Sequence, residues 1–174
     1  DKFVMLGVAS IWERRKGINY FYELSEKLDI NDAIILVGVT EKQKSELPSN
    51  IIGITRTNNV KELAEIYTMA DAFVNPTLED NFPTTNLESL ACGTPVVTFN
   101  TGGSPESIDK SCGFSVKSKD VRSLLSSIQE IKSYGKQLYS PSCIKRATKL
   151  YNKVERFNDY IKLYTEVVAT SDDL

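Results

Sequence analysis

Histidine occurs nowhere in these 174 residues. Its absence excludes Ser-His-Asp and Cys-His nucleophile pairs and leaves zinc without its commonest nitrogen ligand. Any chemistry must use carboxylates, hydroxyls, backbone amides or groups supplied by another domain. Cysteine is scarce, and Cys92, Cys112 and Cys143 are odd in number with no metal-like spacing. They read as reduced thiols in a cytoplasmic compartment, and no metal site is expected. No apolar run approaches the length of a bilayer span. The opening stretch DKFVMLGVAS lacks the basic start, long apolar core and small-residue cleavage site of a signal peptide. It reads as a buried strand, with the chain starting inside a fold. A formal net charge of -2, without a dense basic block, gives no general attraction to nucleic acid or anionic lipid. An anion bound here must be bound locally.

What is present is the composition of an ordinary soluble globular protein, 41% hydrophobic and 25% charged. Residues 1–174 read as one domain, long enough to bury roughly two thirds of its unfolded surface. Short apolar runs alternate with helical periodicity. FVMLGVA (3–9), AIILVG (33–38), IIGI (51–54), AFVNP (72–76), PVVTF (95–99) and GFSV (113–116) read as six strands. Between them, Ile18, Phe21, Tyr22 and Leu28 mark one helix, and Val60, Leu63, Ala64 and Tyr67 a second. Val121, Leu124, Leu125, Ile128 and Ile131 mark a third. Ser140, Pro141 and Ser142 signal a helix start, and Leu150, Val154, Phe157, Ile161, Tyr164 and Val168 trace the stripe of a long final helix. Strands joined by helical crossovers predict an α/β fold, a doubly wound, Rossmann-like and mostly parallel sheet covered on both faces. Ligands of such sheets bind at the carboxyl ends of the strands.

The loops expected at those ends carry groups suited to a phosphorylated ligand. SIWERRKG presents Arg14, Arg15 and Lys16 before Gly17. Guanidinium forks with a lysine point charge suit a pyrophosphate, although a solvated basic loop capping a helix would look the same. NTGGSPE places Gly102 and Gly103 after the fifth strand, where paired glycines allow close backbone approach to a ligand or a simple turn. No Walker lysine-serine pair and no G-x-G-x-x-G occurs, so neither a P-loop ATPase nor a dinucleotide dehydrogenase is supported.

EDNFPTTNLE (79–88) is the most informative stretch. Pro83 suits the first position of a helix, which would leave Thr84 and Thr85 presenting free N–H groups at its start. Such an end binds phosphate oxygens. Thr85-Asn86-Leu87-Glu88 also fits a capping box, in which Glu88 only reaches back to a backbone N–H. Both readings of Glu88 stand at this point.

DNFPTTNLESLACGTPVVTFNTGGSPE resembles the donor-binding signature of glycosyltransferase family 4, the retaining group-1 transferases of GT-B fold. Asp80 and Glu88 have the spacing of that signature's two acids, and Gly93, Pro95, Gly102, Gly103 and Glu106 follow in register. The likeness continues through GVASIWERRKG, IILVG, KELAEIYTMADAFVNPT and GFSV, nearly the whole chain. It departs in three places. Asp80 stands where a glutamate is usual, with Glu79 adjacent, so either acid could face the sugar. Pro83 stands where a glycine follows the phenylalanine. The usual arginine before the lysine-glycine pair has no counterpart at its spacing, so Arg14 or Arg15 would substitute.

The resemblance implies the C-terminal, nucleotide-sugar-binding half of a two-domain retaining glycosyltransferase. On that basis Lys16, Arg15 and Asp80 are the expected catalytic residues. Arg14, Arg56, Asn81, Phe82, Thr84, Thr85, Glu88, Gly102 and Gly103 are the expected donor-binding set, with Glu88 on the ribose, Lys16 on the diphosphate and residues 55–58 beside the base. The donor is a nucleoside diphosphate sugar and no metal or other cofactor is expected. The acceptor, a saccharide or lipid-linked saccharide, would be held by an N-terminal domain absent from this chain, which alone is expected to be inactive. No nucleic-acid partner is expected. The location implied is cytoplasmic, with peripheral association at the inner face of the cell membrane as an option for the full-length protein. A non-hydrolysing sugar-nucleotide epimerase, a nucleotide-sugar-binding module without catalysis and a flavodoxin-like regulatory domain are the alternatives.

Overall fold

The computed structural model describes residues 2–171. Six strands, β1 (Phe3–Val8), β2 (Asp32–Val37), β3 (Ile51–Ile54), β4 (Ala72–Asn75), β5 (Val96–Phe99) and β6 (Gly113–Val116), form one sheet in the order β3-β2-β1-β4-β5-β6. Every pairing is parallel, with Leu6 opposite Ile35 on one side and Phe73 on the other. β2, β4 and β5 are near-continuous apolar runs because helices cover the sheet on both faces. This is the doubly wound Rossmann-like α/β fold.

The helices are α1 (Ile18–Ser25), α2 (Glu41–Glu46), α3 (Val60–Met69), α4 (Thr84–Ala91), α5 (Val121–Tyr134), α6 (Lys136–Tyr151) and α7 (Lys153–Ser171). Asn59 and Asp120 cap α3 and α5, accepting from Glu62 N at 2.9 Å and Ser123 N at 3.0 Å. Phe21, Leu24, Tyr67, Leu90, Leu124 and Ile131 are among the large side chains the helices bury. Cys92, Cys112 and Cys143 are free thiols. Burial pushes the Cys143 thiol up to about 12. No helix among the described residues is long and apolar enough to cross a membrane.

The structure differs from the sequence reading in five places. α1 stops at Ser25, so Leu28 lies in the following connection, although it still packs on the core. Val60, the first residue of α3, is 83% exposed, because the buried stripe begins with Leu63. α2 leaves no trace in the apolar periodicity; it has no buried residue and is started by a capping box between Thr40 and Gln43. Pro141 lies inside α6 and does not begin it. The chain breaks at Gly135, where φ is +81°, and α6 accepts the loss of one proline N–H in its interior. The final stripe is divided at Asn152 between α6 and α7, and Val154, Phe157, Ile161, Tyr164 and Val168 are exposed.

Strand order reverses between β1 and β4, the two central strands. Chain leaving β1 and chain leaving β4 therefore turn away from each other and open a crevice at the carboxyl end of the sheet. Both loops entering that crevice carry the residues singled out above.

Candidate functional site

After β1 the chain is pinned before it delivers Lys16. Trp12 is 5% exposed, donates its indole N–H to Val37 O at 2.9 Å and lies edge-on to Phe21 at 5.4 Å. The amide of Gln43 donates to Trp12 O at 2.7 Å, so α2 buttresses this loop. A single 3-10 turn, Arg14–Lys16, follows and ends at Gly17 with φ +79°. A Cβ there would fall 2.1 Å from Pro76 O, so only glycine lets the turn seat against the end of β4. Leu78 N and the Thr77 hydroxyl both donate to Arg15 O, at 2.7 and 3.2 Å. The two loops are thereby stitched together, and Lys16 Nζ donates to Asp80 Oδ2 at 2.6 Å.

The acid loop is supported from behind by the glycine pair. Gly103 N donates to Asp80 O at 3.3 Å. A Cβ on Gly102 would lie 1.9 Å from Asp80 O, and one on Gly103 2.1 Å from Asn81 O. The close approach these glycines permit is to the Asp80–Asn81 backbone, and neither glycine lines the cavity described below.

α4 starts one residue later than its proline suggested. Pro83 is the N-cap residue, with φ −71° and ψ 110°, and no side chain caps the helix. Thr84 and Thr85 are then the first two helical residues, whose N–H groups have no acceptor within the helix. The Asn86 N–H is already taken by Pro83 O at 3.1 Å. The capping-box reading of Glu88 fails on this geometry: Glu88 Oε2 accepts from the Tyr67 hydroxyl at 3.0 Å, and Thr85 lies inside the helix. Burial, reinforced by the Glu88 carboxylate, holds the Tyr67 phenol far above its ordinary pKa, so it remains a proton donor.

These groups surround a cavity of about 380 Å³. Lys16, Asp80, Phe82, Thr84, Thr85 and Glu88 all line it, with Trp12 and Asn75 at its inner wall. Several expected residues stand elsewhere. Arg14 lines a separate hollow of about 220 Å³ with Tyr20, Glu23 and Lys119. Arg15 Nε pairs with Glu13 at 2.7 Å. Arg56 and Asn81 are exposed and line no part of the cavity. Of the two adjacent acids, Asp80 faces the cavity; Glu79 is exposed, and its carbonyl accepts from the Thr77 hydroxyl at 3.0 Å.

Behind the cavity runs a buried polar chain that sequence reasoning missed. Asn75 Nδ2 donates to Asn86 Oδ1 at 2.8 Å, Asn86 Nδ2 donates to Ser107 Oγ at 2.9 Å, and Ser107 Oγ donates to Ser104 O at 2.7 Å. It ties the end of β4 to the start of α4 and to the 3-10 turn Ser104–Ser107. An asparagine closing the otherwise apolar run AFVN was the available signal.

The model of the family described as glycosyl transferases group 1 matches residues 2–133. The chain is 35% identical over 78 residues to D-inositol 3-phosphate glycosyltransferase of Corynebacterium jeikeium (strain K411), covering 41% of this chain and 19% of that protein. It is 26% identical over 125 residues to the N,N'-diacetylbacillosaminyl-diphospho-undecaprenol alpha-1,3-N-acetylgalactosaminyltransferase of Campylobacter jejuni, covering 70% and 33%. Among solved structures, sucrose-phosphate synthase from Thermosynechococcus elongatus superposes with a TM-score of 0.85 at 23% identity, over 98% of this chain and 46% of that one. Anabaena HepE in complex with UDP-glucose superposes at 0.73 and 17% identity, over 100% and 50%. The structural likenesses concern the fold. The chain spans half or less of the length of each of these proteins.

Proposed function

The chain belongs to the group 1 glycosyl transferases, and from that premise we propose that it is the nucleotide-sugar-binding half of a two-domain enzyme that moves a sugar from a nucleoside diphosphate to an acceptor hydroxyl with retention of configuration. The observation carrying the reading is the cavity at the β1/β4 reversal, where the Lys16 ammonium, the uncapped start of α4 and the Glu88 carboxylate line one space. The first two suit a diphosphate; the third suits a vicinal diol.

In this reading the diphosphate lies between Lys16 and the N–H groups of Thr84 and Thr85. As the bond from the anomeric carbon to the diphosphate breaks, the acceptor oxygen bonds to that carbon from the same face, and negative charge grows on the leaving oxygens, one of which takes the acceptor's proton. Lys16 and the helix start supply fixed positive potential there, an effect often worth several kcal/mol (roughly 3) for one well-placed donor. That role is assigned to these groups and not to a divalent metal. Asp80 holds the Lys16 ammonium in place and stands beside the donor sugar. Arg14 lines a separate hollow and Arg15 pairs with Glu13, so the assignment rests on Lys16. Glu88 takes the ribose hydroxyls, and Trp12 and Phe82 form apolar wall. The acceptor, a saccharide or lipid-linked saccharide, belongs to the other domain, and the setting is the cytoplasm or the inner membrane face.

The test has two stages. Titration with UDP, GDP and ADP, followed by Trp12 fluorescence and calorimetry, is expected to give saturable binding of one nucleotide. The full-length enzyme, given the corresponding sugar nucleotide with and without acceptor, is expected to form a retained glycoside only with acceptor. An epimerised sugar nucleotide formed without acceptor, or an inverted product, would overturn the reading.

A further inference from the structure

We propose that Tyr67 is a positioning residue that sets the orientation of the Glu88 carboxylate toward the ribose of the bound nucleotide; the proposal rests on the assignment of Glu88 made above. Tyr67 is in the last turn of α3, and no residue of that helix lines the cavity. Its side chain is 1% exposed, yet its hydroxyl reaches Glu88 Oε2 at 3.0 Å on the neighbouring helix. Among the described residues no other hydrogen bond holds the Glu88 side chain, and the residue is otherwise exposed.

The phenol oxygen is a fixed point. The Tyr67 ring meets Phe73 edge-on at 5.4 Å. The Thr94 hydroxyl donates to Tyr67 O at 2.6 Å. Lys136 Nζ closes the end of α3, donating to Thr68 O at 2.5 Å and Ala70 O at 2.8 Å. A rigid donor therefore grips one oxygen of an otherwise mobile carboxylate. Because the phenol stays protonated, the grip persists wherever Glu88 is ionised.

A carboxylate has about four acceptor positions. Tyr67 occupies one on Oε2, leaving both oxygens able to accept from the two hydroxyls of a ribose. The rotor freedom Glu88 would otherwise lose on binding is lost beforehand, in the folded protein. Such preorganisation favours a ligand that offers both hydroxyls and gives little to one that offers a single hydroxyl. A tyrosine that merely satisfies its own buried hydroxyl would have no such selectivity.

The test compares Tyr67→Phe with the unaltered chain, using whichever of UDP, GDP and ADP binds and its 2′-deoxy counterpart. Restoring the rotor freedom that the hydrogen bond removes beforehand predicts ribonucleotide affinity weakened about fivefold to tenfold. The 2′-deoxynucleotide should move less than twofold, so that discrimination between the two collapses. In a Glu88→Ala background Tyr67→Phe should add nothing. Discrimination is a ratio of two affinities measured on one preparation, so a reduced folded fraction of Tyr67→Phe cancels from it. If Glu88→Ala abolishes ribose discrimination while Tyr67→Phe leaves it intact, the positioning role is wrong and the Glu88 assignment survives. If Glu88→Ala leaves discrimination intact, the underlying assignment fails and the proposal with it.

Discussion

Lys16 Nζ donates to Asp80 Oδ2 at 2.6 Å, closing a contact between residues 64 apart in sequence and joining the loop after β1 to the loop after β4. Both side chains are mostly shielded, at 25% and 15% exposure. The pair therefore aims the ammonium into the cavity instead of leaving it to sample solvent. Lys16→Ala should lower turnover of the full-length enzyme at least about tenfold, roughly 1.4 kcal/mol in the barrier. It should also weaken nucleoside diphosphate binding far more than nucleoside binding, since the proposed function sets only the diphosphate against the ammonium. Unchanged turnover at both saturating and subsaturating donor would sink the assignment.

Gly17 sets the distance across that contact. Its φ is +79°, and a Cβ would stand 2.1 Å from Pro76 O, a backbone atom that cannot swing aside. Gly17→Ala should cost about 2 kcal/mol or more in urea unfolding, from left-handed strain plus the collision. Gly102→Ala carries the same strain at φ +50° against Asp80 O. There the damage should fall on nucleotide binding as well as stability, because the displaced residue holds Lys16. A Gly102→Ala variant with normal binding would show that the acid loop tolerates the shift.

The six strands were readable because each is a short apolar run bounded by polar or glycine-containing connections, and the edge strands Ile51–Ile54 and Gly113–Val116 matched residue for residue. α2 was not readable from periodicity, since EKQKSE buries nothing and its start is a local hydrogen-bond exchange between Thr40 and Gln43. Pro141 misled because a sequence rule about proline cannot see that Gly135 had already broken the chain. Within the site, Lys16 and the start of α4 stood out by residue type, whereas Asp80 was singled out by the resemblance. The partner of Glu88 was not legible. Tyr67 lies 21 residues away on another helix, where its spacing marked it as core, and core is where it is apart from its hydroxyl.

Asn86 is the middle of the buried chain behind the cavity, accepting from Asn75 at 2.8 Å and donating to Ser107 at 2.9 Å with no exposed surface. Asn86→Ala strands a donor on Asn75 and removes a partner from Ser107. An unsatisfied buried polar group costs about 1–3 kcal/mol, so a loss of about 2–4 kcal/mol in unfolding free energy is expected. Because Asn75 also faces the cavity, nucleotide affinity should fall in the fraction that remains folded. Chemical denaturation and calorimetry on one preparation separate the two effects. A loss below about 1 kcal/mol would mean that water replaces the amide without penalty.

Asp109 follows the turn that Asn86 anchors, and the hydroxyl and N–H of Ser111 both donate to its carboxylate, at 2.6 and 2.9 Å. Those bonds, with Arg146 against its other oxygen at 2.7 Å, hold the carboxyl below its ordinary pKa. A carboxyl lowered in the folded state stabilises it fully above the unfolded value of about 3.9, and that contribution is lost as pH falls through the lower folded value. Asp109→Asn should therefore melt below the unaltered chain at pH 5–7, with the difference closing as pH falls below about 4. The side chain is half exposed, so the shift should be modest and should shrink with added salt. Melting curves of both chains across that range decide the matter. A gap of constant size from pH 7 to pH 3 would show that Asp109 acts through packing around Arg146 and Ser107 O, and not through its charge.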